Sequence, residues 1–430
     1  MERLSTFQSH QASLPGADIP WLNSHRKEAL EAFVEMGFPH PRDEEWQFLA
    51  STAFSGQEFL PLSSSEEATS SQTHALPGCL TIAFDHGRQT SKPLPETPEG
   101  VEVLNLRDAV VRHPELIQSL LKQPDPSSTH GLSRLVAALS GEGLFVRIRA
   151  NIQLEQPIQI LNLNATPQSL ATLHHFIILE RNAEATVIET YAGPDECAYL
   201  SLSITRVHLE ENASLDHYKY QTEGNLGRHF GGIYVDQAPT SRFRQTQAAF
   251  GAVHARTEIH SRLEKASECE LEGVFLVGNR CQSDTHTRLR HAAPDASSRD
   301  DYRGIAGGKG RGIFQGRIIV EPGAQKTRAE MQCRNLLLSK DAEIDAKPQL
   351  EIYADDVKCS HGLTVGQLDP GAIFYLASRG ISETEARELL TFGFANEIIE
   401  RIRPEPLRHE IQSALSLRLA SLISGGPNAS

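Results

Sequence analysis

From about residue 143 to about 376 the chain is a succession of short apolar or alternating runs, with almost no stretch spaced for an amphipathic helix. The clearest are "LFVRIRANIQL", "IQILNL", "HHFIILER", "ATVIETY", "LSLSITRVHLEE", "GGIYVDQ", "GVFLVGN", "GIFQGRIIVEP" and "QLEIYA". So long a run of strands without interleaved helices leaves few architectures. A sandwich or barrel of this length would be unusual as one domain. A β-solenoid accommodates it, because each rung buries its apolar face on the next. A weak internal echo supports that choice: an apolar run, an acidic or small turn, an alanine or serine, then another strand. It recurs in "LERNAEATVIE", "LEENASLDHYK", "LEKASECELEG", "VEPGAQKTRAE" and "LSKDAEIDAKP", at irregular spacing.

The flanks read differently. "WLNSHRKEALEAFVEMGFPHP" places Leu22, Ala29, Leu30, Phe33 and Val34 near a 3.6-residue period, and Gly37 and Pro39 supply a stop. Residues 61–75 are Ser-rich and read as a flexible loop. At the other end "SETEARELL" opens with a capping box, Ser382 with Glu385. "ANEIIERI" and "EPLRHEIQSALSLRLASLI" read as two more helices. In the last, Leu407, Ile411, Leu415, Leu419 and Leu422 form one apolar stripe, suited equally to a core and to docking a partner. The expected organisation is therefore an N-terminal helical region over 1–142, a mainly β solenoid core over 143–376 and a C-terminal helical segment over 377–430.

No apolar run reaches the roughly 18 residues that would cross a membrane, and "MERLSTFQSHQAS" has no apolar h-region. A cytoplasmic location without a membrane partner is expected. A net charge of −14 with dispersed basic residues argues against nucleic acid. The six cysteines form no Cys-x-x-Cys pair and no disulfide framework. Cys79, Cys197 and Cys269 read as small buried hydrophobes, and Cys333, ahead of "NLLL", as core.

Chemistry concentrates at "EIYADDVKCSHG", residues 351–362. Cys359 and His361 stand at i and i+2, so on a strand they share a face with Cα atoms about 6.6 Å apart. A thiolate and an imidazole can converge on one metal ion from there. Two ligands do not close a site; a distant residue or another subunit must complete it, unless the histidine is incidental to a half-exposed strand end. Cys281, near His286 and His291, reads as a polar strand edge. "YRGIAGGKGRGIFQGR", residues 302–317, fails the Walker spacing, and its glycines are expected at turns with φ > 0. No ATP site is expected in this chain. There is no Gly-x-Ser-x-Gly elbow, and a polysaccharide-active β-helix enzyme with distant paired carboxylates is the enzymatic alternative.

The segment "KTRAEMQCRNLLLSKDAEIDAKPQLEIYADDVKCSHGLTVGQLDPGAIFYLASRGIS" resembles the SufD family, scaffold subunits of the SUF (SufBCD) iron–sulfur cluster assembly system. "KPQLEIYADDVKCSHG", "GQL" and "FYLASRGI" carry the resemblance; the paralogous SufB pattern is Glu-His-Glu where this chain has "KCSHG". It is strong over about 300–390, looser over the rest of the strand-rich region and faint in the N-terminal helices. There "EEWQFLA" matches a Glu-x-Trp segment with departures at Gln47 and Leu49. The resemblance implies a right-handed parallel β-helix between helical ends. It implies a non-enzymatic scaffold that pairs with a SufB-type paralogue and binds a SufC-type ATPase at its C-terminal helices, with a functional link to a cysteine desulfurase and a sulfur carrier. It further implies that His361, and after it Cys359, faces that interface and helps hold a transient iron–sulfur cluster shared with SufB. An iron-trafficking adaptor that builds no clusters is the remaining alternative.

Overall fold

A computed structural model describes residues 2–48, 53–54, 59–62, 74–90, 94–122 and 130–424. The Ser-rich stretch expected as a loop lies outside the described residues except at its two ends. The centre is a parallel β-solenoid of about eight turns. Each turn gives one strand to each of two sheets. Sheet one runs, in hydrogen-bonded order, Lys358–Gly366, Arg328–Leu337, Ser297–Ala306, Glu268–Val277, Arg242–Ala249, Ser214–Thr222, Glu184–Ala192, Ile158–Leu163, Leu80–Asp85 and Arg88–Gln89. Sheet two runs Glu343–Ile352, Arg311–Val320, Gln282–His291, His254–Leu263, Arg228–Gln237, Leu200–Leu209, Leu170–Leu179, Leu144–Ile148 and Val101–Asn105.

In four of its five segments the faint echo in the sequence is the corner where the chain passes from sheet two to sheet one; "LSKDAEIDAKP" lies at the opposite corner and has no positive φ. At the corner from sheet two to sheet one, Asn151, Asn182, Asn212, Thr240, Ala266, Asp295 and Lys326 all take positive φ. Left-handed backbone turns the chain sharply, and asparagine tolerates it better than most side chains. The residue that follows turns into a crowded corner and is small and buried: Ala183, Ala213, Ser241 and Ser267. Asparagines stack from rung to rung. Asn182 Nδ2 donates to Asn151 Oδ1 at 2.8 Å, and Asn212 Nδ2 to Asn182 Oδ1 at 3.1 Å. The spacing is irregular because the rungs are unequal: Leu200 pairs with Arg228 and Arg228 with His254, steps of 28 (228 − 200) and 26 (254 − 228) residues.

The turn at 307–310 accounts for only part of the glycines of 302–317. Of these only Gly308 has positive φ, at 57°. The others stand at close approaches: a Cβ on Gly304 would lie 2.3 Å from Phe275 Cζ, and one on Gly316 2.5 Å from Met331 Sδ.

The two ends of the solenoid differ. At one, short strands run against the parallel grain, Arg88–Gln89 on Leu80–Asp85 and Val101–Asn105 on Leu144–Ile148. At the other, Glu343–Ile352 and Lys358–Gly366 are the last strands, and their outer edges pair with no strand among the described residues.

Helices cover the outer faces. Glu2–Ser13, Pro20–Met36 and Gly131–Leu139 bury Phe7, Phe33 and Leu135 together with Leu200, Leu202 and Phe230 of sheet two. Glu383–Ile399 and Glu405–Ile423 lie on sheet one, where Leu407, Ile411, Leu415 and Leu419 pack with Tyr218, Tyr220 and Val274. The apolar stripe is thus core. The capping box at Ser382 and Glu385 is formed, but "ANEIIERI" starts no helix of its own, since its first residues continue Glu383–Ile399. Among the described residues no helix is long and apolar enough to cross a membrane.

Candidate functional site

The last strand, Lys358–Gly366, brings Cys359 and His361 to the uncovered end. Cys359 pairs in register with Ala329 and His361 with Met331. Ala329, Met331 and Cys333 are buried, whereas the alternating Arg328 and Glu330 are exposed. Strand alternation therefore puts Cys359 and His361 at inward register positions, with no further rung above them. His361 is exposed and Cys359 half-buried. Leu363, Val365 and Ile352 continue an apolar surface on the same turn, 38 %, 44 % and 40 % exposed.

The second of the two aspartates before the cysteine, Asp356, ties down the turn that delivers it. Lys326 Nζ reaches Asp356 Oδ2 at 2.8 Å, the Asp356 amide donates to Gln325 Oε1 at 2.9 Å, and the Lys358 amide donates to the Thr327 carbonyl at 2.9 Å. The hydrogen bond and charge of Lys326 hold the Asp356 carboxyl below its usual value. Burial pushes the Cys359 thiol up, against a smaller opposing hydrogen bond with Ala329. Cys359 is therefore a thiol at neutral pH. A cleft of about 400 Å³ lies beside it, lined in part by Arg299, Arg328, Glu330 and Ser360.

Among the described residues no group of three His, Cys, Asp or Glu side chains is set to hold a metal ion. Cys359 and His361 are brought together as a pair and no more. Cys333 is core, as its sequence suggested. Cys269 is buried, but Cys79 and Cys197 are only partly so, which corrects the expectation for them. His286 and His291 are not on a sheet edge: their strand is flanked on both sides and both rings are buried. His286 contacts Asp284 at 2.9 Å on the outer face.

That outer face carries a cluster the sequence did not disclose. Arg256, fully buried, bonds Glu258 at 2.7 Å and Asp284 at 2.9 Å, and lies 3.6 Å from the Trp46 ring centroid. Glu45 reaches Arg288 at 2.5 Å, and Gln282 Nε2 donates to the Phe48 carbonyl at 2.6 Å. The segment Glu44–Trp46 is thereby strapped across several rungs of sheet two. The single legible signal was the tryptophan beside two acids.

The C-terminal helices leave a second surface. Pro370–Ser378 buries none of its residues, and Phe374 and Tyr375 are 75 % and 57 % exposed. Ile381, Leu389, Phe392 and Ser416 line a groove of about 410 Å³ between the next two helices, and Leu417 lies exposed on the second of them.

Comparison with known proteins gives two family matches. The family described as SUF system FeS cluster assembly, SufBD core domain, matches residues 162–394. The SufBD protein N-terminal region matches residues 2–160. The chain is 28 % identical to an iron–sulfur cluster assembly SufBD family protein of Synechocystis, over 95 % of this chain and 93 % of that one. It is 28 % identical to the iron–sulfur cluster assembly protein SufD of Escherichia coli, over 91 % of each chain. With SufD of Bacillus subtilis it shares 26 %, over 93 % of this chain and 94 % of that one.

Proposed function

The chain belongs to the SufBD family and has its role in SUF iron–sulfur cluster assembly, and from that premise we propose that it is a non-catalytic scaffold subunit, paired through its open solenoid end with a SufB-type paralogue. The observation that carries this reading is the pair Cys359 and His361 at inward positions of an uncovered last strand. Thiolate and imidazole are both iron ligands in cluster proteins. Two donors leave a cluster under-ligated, so a facing subunit supplies the others. The cluster is cargo held between subunits. Parting the interface removes half its ligands, which suits transient holding and release. The unpaired strand edges and the apolar Leu363, Val365 and Ile352 give such a partner a surface to cover.

ATP hydrolysis belongs, in this reading, to a SufC-type ATPase bound at the C-terminal helices. Their solenoid-facing stripe is occupied by the core, so docking falls to the opposite surface around Leu389, Leu417 and Phe374. Movement of these helices would pull on the last strands through Pro370–Ser378. A cysteine desulfurase and a sulfur carrier supply sulfide, and the compartment is the cytoplasm.

The test is anaerobic co-expression with the candidate SufB- and SufC-type partners, followed by iron and acid-labile sulfide analysis. A three-component complex carrying both is expected, with His361→Ala lowering both at unchanged subunit stoichiometry. Unchanged cluster content in that variant removes His361 from the site. Iron without sulfide would point to metal trafficking. Leu389→Asp with Leu417→Asp should release the ATPase and leave the paralogue bound.

A further inference from the structure

The inner faces of the two sheets are not uniformly apolar. Beside the asparagine corner the lumen is filled by Val207, Leu209, Leu215 and Leu263. Farther along the same strands it turns polar. Register stacks His217, Gln245, Leu271, Asp300, Met331 and His361 in one inward column. Glu189, Lys219, Gln247, Gly273, Tyr302 and Cys333 form the next. From Glu189 to Tyr302 these polar side chains are at most 2 % exposed.

Direct hydrogen bonds join them only in separate clusters. Glu189 accepts from Thr205 at 2.6 Å and contacts His217 at 2.9 Å. Lys219 Nζ and Gln247 Nε2 both donate to Thr257 Oγ1, at 3.1 and 3.4 Å. Thr287 donates to Asp300 at 2.5 Å. Between the clusters, both amide atoms of Gln245, Gln247 Oε1, His217 Nδ1, Thr285 Oγ1, Tyr302 Oη and Asp300 Oδ1 have no partner among the described residues. Polar atoms sealed away unpaired are strongly destabilising, and native interiors rarely keep a run of them. Glycines make room here for the long polar side chains: a Cβ on Gly231 would lie 2.0 Å from Lys219 Nζ, and one on Gly273 2.2 Å from Tyr302 Cε1.

We propose that the polar half of the lumen binds a file of ordered water molecules running from the Glu189 rung to the Asp300 rung and bridging these clusters. Water suits the lining because unpaired donors and acceptors stand side by side in it, and each molecule needs two to four polar partners. The lining offers Lys219 and Glu189 together, so neither an anion nor a cation alone is matched. Burial pushes the Asp300 carboxyl up to about 7, which keeps it a donor as well as an acceptor at pH values below that. The file ends at Phe314, Met331 and Cys333, all fully buried. That apolar plug separates it from His361, so the open-end pair meets solvent or a partner only from outside.

High-resolution crystallography of the full chain, alone or in complex, tests this. Solvent peaks within hydrogen-bond distance of Gln245, Gln247 and Tyr302 Oη are expected. A dry lumen, or density showing those side chains paired directly with one another, overturns the proposal. The double variant Gln245→Leu/Gln247→Leu gives a second reading. In a hydrated seam it removes the waters' anchors and lowers the thermal midpoint. An unchanged or raised midpoint, as when orphaned amides are replaced in a dry lumen, overturns it. If the variant does not fold, the density of the unaltered chain decides.

Discussion

Arg256→Met isolates the contact that holds residues 44–46 on the solenoid. The guanidinium is fully buried between Glu258 and Asp284, donates to the Glu45 carbonyl at 2.7 Å and faces Trp46. Burial works to raise both carboxyls. His130 and Arg256 outweigh it and hold Glu258 well below its usual value, and His286 and Arg256 lower Asp284. Methionine keeps the bulk of the stem and removes the charge, leaving two carboxylates buried. Taking one partner from a buried ion pair costs about 3–5 kcal/mol. Losing the desolvated cation–π contact costs about 2 kcal/mol more by itself, but the groups form one network, so the two do not simply add. A loss of about 3–5 kcal/mol at pH 7 is expected, read by urea denaturation followed through tryptophan fluorescence. The pH dependence has a definite sign. Both folded pKa values are depressed, so the stabilisation is complete above the unfolded carboxylate values and is lost as pH falls through the folded ones. The gap between the two proteins should be full at pH 7 and close only below about pH 4. A loss under about 1 kcal/mol, the value of an exposed pair, or a gap that widens on acidification, refutes the reasoning.

Leu415→Ala, at a fully buried position under the C-terminal helix, should cost about 2–5 kcal/mol and lower the thermal midpoint. Asn182→Ala removes two rungs of the asparagine ladder and forces alanine into φ 58°; a loss of about 1–2 kcal/mol is expected from the backbone alone, in the same assay. Asp300→Asn should change the pH profile. The folded pKa is raised to about 7 from 3.8, so the native protein loses stability as pH climbs between those values. The variant should match it near pH 4 and exceed it above pH 7. Under native conditions iodoacetamide should label Cys359 ahead of Cys333, whose thiol burial pushes up to about 12; mass spectrometry reads the order.

The solenoid was legible because its constraint is repetitive. Strand-length apolar runs over such a span exclude most other folds, and four of the five echo segments mark left-handed corners at Asn182, Asn212, Ala266 and Lys326, each followed by a small residue. The candidate pair was legible because Cys359 and His361 are adjacent in the chain and the family segment surrounds them. What escaped was assembled across distance. Arg256 meets Trp46 from 210 positions away (256 − 46), and no local pattern announces such a contact. His286 and His291 read as edge residues because a central solenoid strand can be polar along its length when neighbours on both sides satisfy it. The glycines of 302–317 misled because close packing and turning select the same residue. The C-terminal stripe was ambiguous for a similar reason: a helix face that docks on its own chain has the same periodicity as one that docks on another.

The unlike ends of the solenoid limit what it can build. A parallel solenoid open at both ends is a seed for fibres, since each copy presents a fresh template at the far side of the last. Here one end is finished by short strands laid against the grain. Among the described residues only the end bearing Lys358–Gly366 offers full-length strand edges, so two such chains joined there would show two finished ends. Growth by this route terminates at two chains, whatever the concentration.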